Sequence, residues 1–289
     1  MNKGFNSFGV IGGDKRQLYC ARALSDDGYM VSLGGFDSVK EMRNIEVTTP
    51  FEAALMSEII ILPLPSLGSD GKIPAPFSKG NIELTSDLLT AMKGKRVFCG
   101  FADKLRKAVS APGAEIFDYY EREEFAVANA VVTAEGAISL AMINFEGTIN
   151  GSKCLVLGYG RIGKALTDML TSLGARLTVS ARNPQDLAWI RSKGATAVKF
   201  SKLYELESFD IIFNTVPAPV LDSLLLAKLA SKALVIDLAS GKGGVDFYSA
   251  ERMGIDTIHA LSLPGKCAPK TAGEIVKNTI YHILEEEYR

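Results

Sequence analysis

Apolar runs of strand length alternate with segments of helical spacing along the whole chain, and they fall into two similar halves. The first half carries apolar runs at residues 7–11, 29–33, 59–62, 96–99 and 115–117, with helical spacing over 14–27, 51–56, 85–92 and 103–110. The second half repeats the pattern at 153–157, 176–180, 211–214, 233–238 and 256–259, with helical spacing over 164–173. Strands separated by helices predict parallel sheets, so the expected class is α/β with two doubly wound domains. Residues 121–145, rich in Ala, Val, Ile and Met, predict one or two linking helices. Residues 271–286 predict a closing helix that returns to the first domain.

Each half opens with a strand, a glycine turn and a helix. In the second half the turn reads Gly158-Tyr159-Gly160-Arg161-Ile162-Gly163. Directly after an apolar strand and before a helix, this spacing makes physical sense for a dinucleotide. The first glycine permits the tight turn, the second lets the backbone approach a pyrophosphate, and the third lets helix and strand pack closely. The free N–H groups of the helix start then meet the phosphates. About twenty residues on, where NAD sites place a carboxylate for the ribose 2′-hydroxyl, the chain has Ser180-Ala181-Arg182-Asn183 and no acid before Asp186. Arg182 would pair with a 2′-phosphate and Ser180 would hydrogen-bond it, which favours NADP over NAD. The turn Asn214-Thr215-Val216-Pro217 closes the next strand and is expected under the nicotinamide end, and Asp237-Leu238-Ala239-Ser240-Gly241 ends the following strand and is expected to face the cleft; a purely structural turn is the alternative for each.

The first half's Gly12-Gly13-Asp14-Lys15-Arg16 occupies the same topological place without the glycine spacing. Backbone N–H groups there, with Lys15 and Arg16, suit a carboxylate or phosphate, or simply begin a helix with solvated charges. Residues 63–80 hold four prolines and three glycines and leave the carboxyl end of a strand, so the segment, Pro65 and Ser66 included, reads as a substrate-side loop or as a surface insertion. Near the C-terminus Pro264-Gly265-Lys266-Cys267-Ala268-Pro269-Lys270 precedes Thr271, read as a helix N-cap, and Lys266 and Lys270 are candidate grips for carboxylates.

Composition narrows the partners. The length of 289 residues suits two domains, and 47% hydrophobic with 22% charged residues is ordinary globular composition. With 32 basic and 33 acidic side chains, the net charge of −1 provides no field for nucleic acid or an anionic membrane. The N-terminal apolar run is too short and glycine-broken for a secretory signal, and no window approaches the ~18 apolar residues of a membrane span. Four scattered cysteines and two histidines leave no metal site and imply a reduced, cytoplasmic protein.

Several motifs stand together in one order: Gly12-Gly-Asp-x-Arg16-Gln17, Leu62-Pro-Leu-Pro65, Thr133-Ala-Glu-Gly136-Ala-Ile138, Leu157-Gly-Tyr-Gly-Arg-Ile-Gly163 and Leu263-Pro-Gly-Lys266-x-Ala-Pro-Lys-Thr-Ala-Gly273. In these the chain resembles the A-subunit family of the dipicolinate synthases of endospore-forming bacteria over essentially its whole length. The resemblance implies a formate/glycerate and alanine dehydrogenase-like arrangement: a flavodoxin-like substrate-side domain of residues 1–128, completed by 272–289, and a Rossmann-type NADP-binding domain of 129–271. It also implies a homo-oligomer acting with the flavoprotein-like B-subunit of dipicolinate synthase in the mother-cell cytoplasm during sporulation. The product would be pyridine-2,6-dicarboxylate, from dihydrodipicolinate or its hydroxy-tetrahydro precursor.

A small dicarboxylate substrate needs cations, and Lys15, Arg16, Lys266 and Lys270 are the candidates, with Gly13, Asp14, Pro65 and Ser66 beside them. Gly158 to Gly163, Ser180 to Arg182, Asn214 to Pro217, Leu238, Ala239 and Pro264 are the expected cofactor residues. Glu135 and His259 are the candidate bases. A 2-hydroxyacid or alanine dehydrogenase is the rival on the same scaffold. The hydroxyacid enzymes carry an Arg after the strand that here ends near Ser240 and a His after a Pro near Pro264, and neither stands here. A dinucleotide-binding regulatory protein without chemistry of its own is the third reading.

Overall fold

The structure is a computed structural model describing residues 4–40, 42, 44–109, 113–230 and 232–287; residues 1–3, 41, 43, 110–112, 231 and 288–289, which the expectations above include, lie outside them. Its strands are β1 Ser7–Ile11, β2 Met30–Gly34, β3 Ile45–Thr48, β4 Ile59–Ile61, β5 Arg96–Cys99, β6 Glu115–Asp118, β7 Lys153–Leu157, β8 Arg176–Ala181, β9 Thr196–Lys199, β10 Ile211–Asn214, β11 Leu234–Asp237 and β12 Thr257–His259. The helices are α1 Lys15–Asp26, α2 Pro50–Met56, α3 Ser86–Met92, α4 Asp103–Ala108, α5 Glu123–Asn144, α6 Arg161–Ser172, α7 Pro184–Ser192, α8 Ser223–Leu229, α9 Phe247–Met253, α10 Leu263–Cys267 and α11 Pro269–Glu287. They form two compact units, Met1–Asn129 with Ala268–Arg289, and Ala130–Cys267.

Unit 1 is a six-stranded parallel sheet in the order β3-β2-β1-β4-β5-β6. Successive side chains of a strand point to opposite faces, and both faces are covered. Phe8, Val10, Ile59, Ile61 and Phe98 pack on one side with Leu24 of α1 and Val276 and Ile280 of α11. Ile11, Ile60, Leu62, Val97 and Cys99 pack on the other with Ala53 of α2, Leu88 of α3 and Leu105 of α4. The segment after β4 is packed down: Leu67, Ile73 and Ile82 are buried in that second core, and Ile73 bridges Ile82.

Unit 2 repeats the plan in the order β12-β11-β10-β7-β8-β9. Cys154, Val156, Ile211, Phe213 and Ile236 face α5, α6 and α7, whereas Leu155, Leu157, Ile212 and Val235 face α8 and α9. These continuous apolar strands are what a doubly covered parallel sheet requires.

Three expectations change. The edge strands β3 and β9 carry no apolar run, because their half-exposed patterns lack one. Residues 263–267 form α10 and the last helix begins at Pro269, so Thr271 lies inside α11 and is not its N-cap. Among the described residues, α5 is long and apolar enough by length and composition to cross a membrane, contrary to the reading that no window approaches that size. Its Ala134, Ala137, Ile138 and Ala141 are buried against β7 and α6, the surroundings of a core helix.

The C-terminal helix is held against α1 by a close approach at Gly273, where an added Cβ would stand 2.5 Å from the Arg16 carbonyl oxygen and 2.7 Å from the Cys20 nitrogen. Gly273→Ala is expected to separate α11 from α1 at a cost of about 1–3 kcal/mol. A lower Tm by circular dichroism checks this, and an unchanged Tm would contradict the close packing.

Candidate functional site

The strand order of unit 2 reverses between β7 and β10, and the glycine turn follows β7 at this switch point. Gly158 has φ of +99° and donates its N–H to Ser180 O at 3.0 Å, and a Cβ there would strike Thr215 Oγ1 at 2.4 Å. A Cβ on Gly163 would lie 2.2 Å from the Gly158 carbonyl oxygen, so helix and strand approach as closely as backbone allows. Gly160 has nothing within 4 Å of its Cβ position. Helices α1, α2, α3, α7, α8 and α9 are each closed by an N-capping side chain, whereas α6, with Gly160 at its N-cap, has none, as has the short α4 after Ala102. Open space in front of a helix start that no side chain caps, at the positive end of the helix, is a cradle for a pyrophosphate, so the residues present fit a dinucleotide. Beside it, burial raises the Tyr159 phenol above its ordinary pKa, and the Lys164 ammonium lies 5.7 Å from the ring centre. Arg161 is exposed and Ile162 packs partly into the core.

At the end of β8, Ala181 is buried and Arg182 is exposed on the turn before α7. The nearest acid, Asp186, accepts from Asn183 Nδ2 at 2.8 Å, and its backbone amide is capped by Asn183 Oδ1 at 2.7 Å. Ser180 corrects the expectation. It is fully buried with an unpartnered hydroxyl, on the sheet face opposite Val179 and Ala181, whereas Arg182 lies past the end of the strand on the exposed turn.

His259, Asp237, Asn214 and Leu157 stand opposite one another in the register of β12, β11, β10 and β7. Asp237 is wholly buried. Its carboxylate accepts from Asn214 Nδ2 at 2.9 Å, Ala239 N at 3.0 Å and Gly244 N at 2.8 Å. Asn214 also spans its own turn, donating to Val216 O at 3.1 Å and accepting from Val216 N at 3.2 Å. Its side chain is therefore engaged inside the protein. Thr215 Oγ1 donates to Leu157 O at 2.8 Å, and Pro217 is exposed beside it. The His259 Nε2 proton goes to Ala239 O at 3.2 Å, which leaves Nδ1 as the acceptor. Leu238, Ala239 and Pro264 are buried, and Lys266 is exposed on α10. Glu135 is elsewhere on this unit, exposed on α5 beside Ile138, Asp168 and Met169, so the two candidate bases are not brought together.

In unit 1 the switch point lies between β1 and β4. The amides expected to bind an anion are largely answered from within. Asp14 accepts from Arg16 N at 2.9 Å, Gln17 Oε1 accepts from Asp14 N at 3.1 Å, and Pro74 O accepts from Gly13 N at 2.6 Å. The Arg16 guanidinium pairs with Asp14 at 2.9 Å and donates to Leu64 O at 3.1 Å. Lys15 is exposed on α1, Lys270 on α11 and Pro65 after β4. Ser66 is fully buried and donates to Phe101 O at 2.9 Å. Phe101 itself, which the sequence does not single out, has φ of +57°, a conformation costing a bulky residue about 1–3 kcal/mol.

Because space around Gly160 is open and its φ is −76°, Gly160→Ala is expected to fold normally and to weaken dinucleotide binding at least about tenfold by filling the cradle. Titration calorimetry alongside a thermal melt checks this. Unchanged affinity would remove the pyrophosphate from this turn.

Residues 7–120 match the family of the N-terminal domain of the dipicolinate synthase A-subunit, and residues 128–245 match the NAD-binding domain of D-isomer specific 2-hydroxyacid dehydrogenases. The dipicolinate synthase A-subunit of Bacillus subtilis (strain 168) is 34% identical over 282 residues, 96% of this chain and 95% of that protein. The solved structure of the dipicolinate synthase A-subunit from Bacillus halodurans superposes with a TM-score of 0.86 at 34% identity, covering 96% of this chain and 97% of that one. A transhydrogenase structure from Sinorhizobium meliloti shares the fold, with a TM-score of 0.71 at 14% identity over 96% of this chain and 93% of that one. With an open, uncapped glycine turn in unit 2 and relatives matched over nearly its whole length, the chain belongs to the dipicolinate synthase A-subunit family, with a dehydrogenase-type nicotinamide dinucleotide domain.

Proposed function

We propose that this chain is the NADP-dependent oxidoreductase component that forms pyridine-2,6-dicarboxylate from dihydrodipicolinate, or from its hydroxy-tetrahydro precursor, during sporulation. In this reading it works as a homo-oligomer with the flavoprotein-like B-subunit of dipicolinate synthase in the mother-cell cytoplasm. The observation that carries it is the uncapped α6 start within a chain of this family, followed at the end of β8 by an exposed Arg182 in place of a carboxylate. A carboxylate there would repel a 2′-phosphate, and a guanidinium pairs with it.

Aromatising a dihydropyridine dicarboxylate removes two electrons with one proton as hydride, and releases a second proton. NADP⁺, when bound, accepts the hydride. The chain's residues then bind, orient and move the proton. Gly158, Gly160 and Gly163 open the cradle, Arg182 holds the ribose phosphate, and the Asn214–Asp237 pair fixes the turns at the ends of β10 and β11. His259 keeps Nδ1 free to take the proton, because Nε2 is committed to Ala239 O. Lys15 and Lys270 on unit 1, and Lys266 on unit 2, are each exposed and available to a carboxylate. Positioning and charge matching supply most of the rate. Glu135 lies on α5 beside Asp168 and Met169, which leaves His259 as the candidate base at a strand end and favours a second reading, a dinucleotide-binding component whose partner performs the oxidation.

Two measurements test these readings. Arg182→Ala is expected to raise the Kd for NADP about tenfold and to leave NAD nearly unchanged; equal effects on both would sink the NADP assignment. Purified chain with the B-subunit, dihydrodipicolinate and NADP⁺ is expected to develop the absorbance of pyridine-2,6-dicarboxylate together with NADPH. Tight nucleotide binding with no product under any pairing would leave only the second reading.

A further inference from the structure

The carboxyl edge of the unit 1 sheet presents two exposed aromatic rings that neither core nor dinucleotide site uses. Phe101 follows β5 and is 50% exposed, and Tyr120 follows β6 and is 39% exposed. Their ring centres are 4.5 Å apart at 61°, edge to face. Tyr120 in turn leans on buried Phe125, with centres 5.9 Å apart.

What holds these rings is buried and specific. Asp118, at the end of β6 and 9% exposed, accepts from Ala102 N at 2.7 Å through one oxygen and from Tyr120 N at 2.9 Å through the other. One carboxylate thus fixes the amide after Phe101 and the amide of Tyr120 itself. From the other side, fully buried Ser66 donates its hydroxyl to Phe101 O at 2.9 Å, and its N–H goes to Gly100 O at 2.7 Å. These contacts keep Phe101 at φ +57°, where a bulky side chain is strained and glycine is not. This conformation turns an apolar ring outward at the carboxyl edge of the sheet, after β5 and beside the edge strand β6.

We infer that Phe101 and Tyr120 form a stacking platform for the flat ring of the dicarboxylate, a nitrogen heterocycle whose electron-poor face lies on the electron-rich face of an aromatic side chain. This rests on the functional reading above and adds positioning residues that the nucleotide site does not supply. The two rings alone are far smaller than the ~800 Å² per partner of a stable protein interface, which favours a small planar ligand as their occupant.

The test uses the full chain with saturating NADP, alone and with the B-subunit, titrated with pyridine-2,6-dicarboxylate by calorimetry and by NMR of the ligand's ring protons. Wild type is expected to bind with upfield shifts of those protons. Phe101→Gly folds without strain and Phe101→Leu keeps an apolar side chain; both are expected to weaken the dicarboxylate about tenfold, lose the upfield shift and leave NADP affinity unchanged. Phe101→Tyr is expected to retain both binding and shift. Should wild type bind the dicarboxylate while the Gly and Leu variants bind it equally well, the platform is wrong and the functional reading stands. Should wild type bind NADP but no dicarboxylate in either setting, the functional reading fails and takes the platform with it.

Discussion

The amides that begin the first helix of each sheet determine what each half of this protein can hold. Both units put that helix at a switch point, where parallel strands leave their carboxyl ends open. An anion at such a helix start is worth about 0.3–1 kcal/mol, and up to about 2 in partly buried geometry. Unit 1 commits this to its own Asp14, with Gln17 and Pro74 taking neighbouring amides. The same carboxylate neutralises Arg16, so a charge that looks free in the sequence is tied to the turn it follows. Unit 2 leaves the place to Gly160, without a side chain to fill it. One chain therefore carries two copies of a winding, and only one has an open phosphate cradle.

A second device recurs in both units. Asp118 and Asp237 end strands, lie buried, and are satisfied by backbone and amide N–H groups. Burying a carboxylate costs several kcal/mol, while each hydrogen bond to a charged group returns about 1.5–3. Three donors at Asp237 and two at Asp118 are enough to make such burial tolerable, and the loops they gather become stiff. Gly243 and Gly244 show how tightly: a Cβ on the first would lie 2.2 Å from Asp237 Oδ2, and on the second 2.4 Å from Asn214 Nδ2. Stiff loops at the carboxyl edge are what a site that works by positioning needs.

The winding is legible in the sequence because the central strands are covered on both faces and read as unbroken apolar runs, such as Phe8 to Ile11 and Cys154 to Leu157. The glycine turn is legible because each glycine answers a steric demand of backbone against backbone. The edge strands β3 and β9 are not, since a half-exposed edge leaves no run to read. Ser180 misleads for a different reason: it is still inside β8, where both sheet faces are covered, and Arg182 is already on the exposed turn. Arg16 misleads because a charge shows in the sequence and its partner two residues back does not show as one. Phe101 is invisible altogether. Nothing in Cys-Gly-Phe-Ala announces a positive φ, which is imposed by Ser66 and Asp118 from distant parts of the chain.

The kind of cation left over bears on how a flat dicarboxylate would be oriented. Arg16, Arg96, Arg106 and Arg122 are all paired with carboxylates inside unit 1. The arginine fork is the group that fixes a carboxylate's plane, and in these four it is committed to structure, while Arg22 stays exposed on α1. Lys15 and Lys270 in that unit, and Lys266 in the other, are exposed and make no ion pair among the described residues. An ammonium is a point charge on a flexible stem, so it attracts a carboxylate without setting the ring's rotation. Hydride transfer depends on that rotation, because the reacting carbon must face the acceptor at close range. Under the function proposed above, contact with the ring itself would set that rotation, and the rigidly held Phe101 face of unit 1 is one group able to make such a contact.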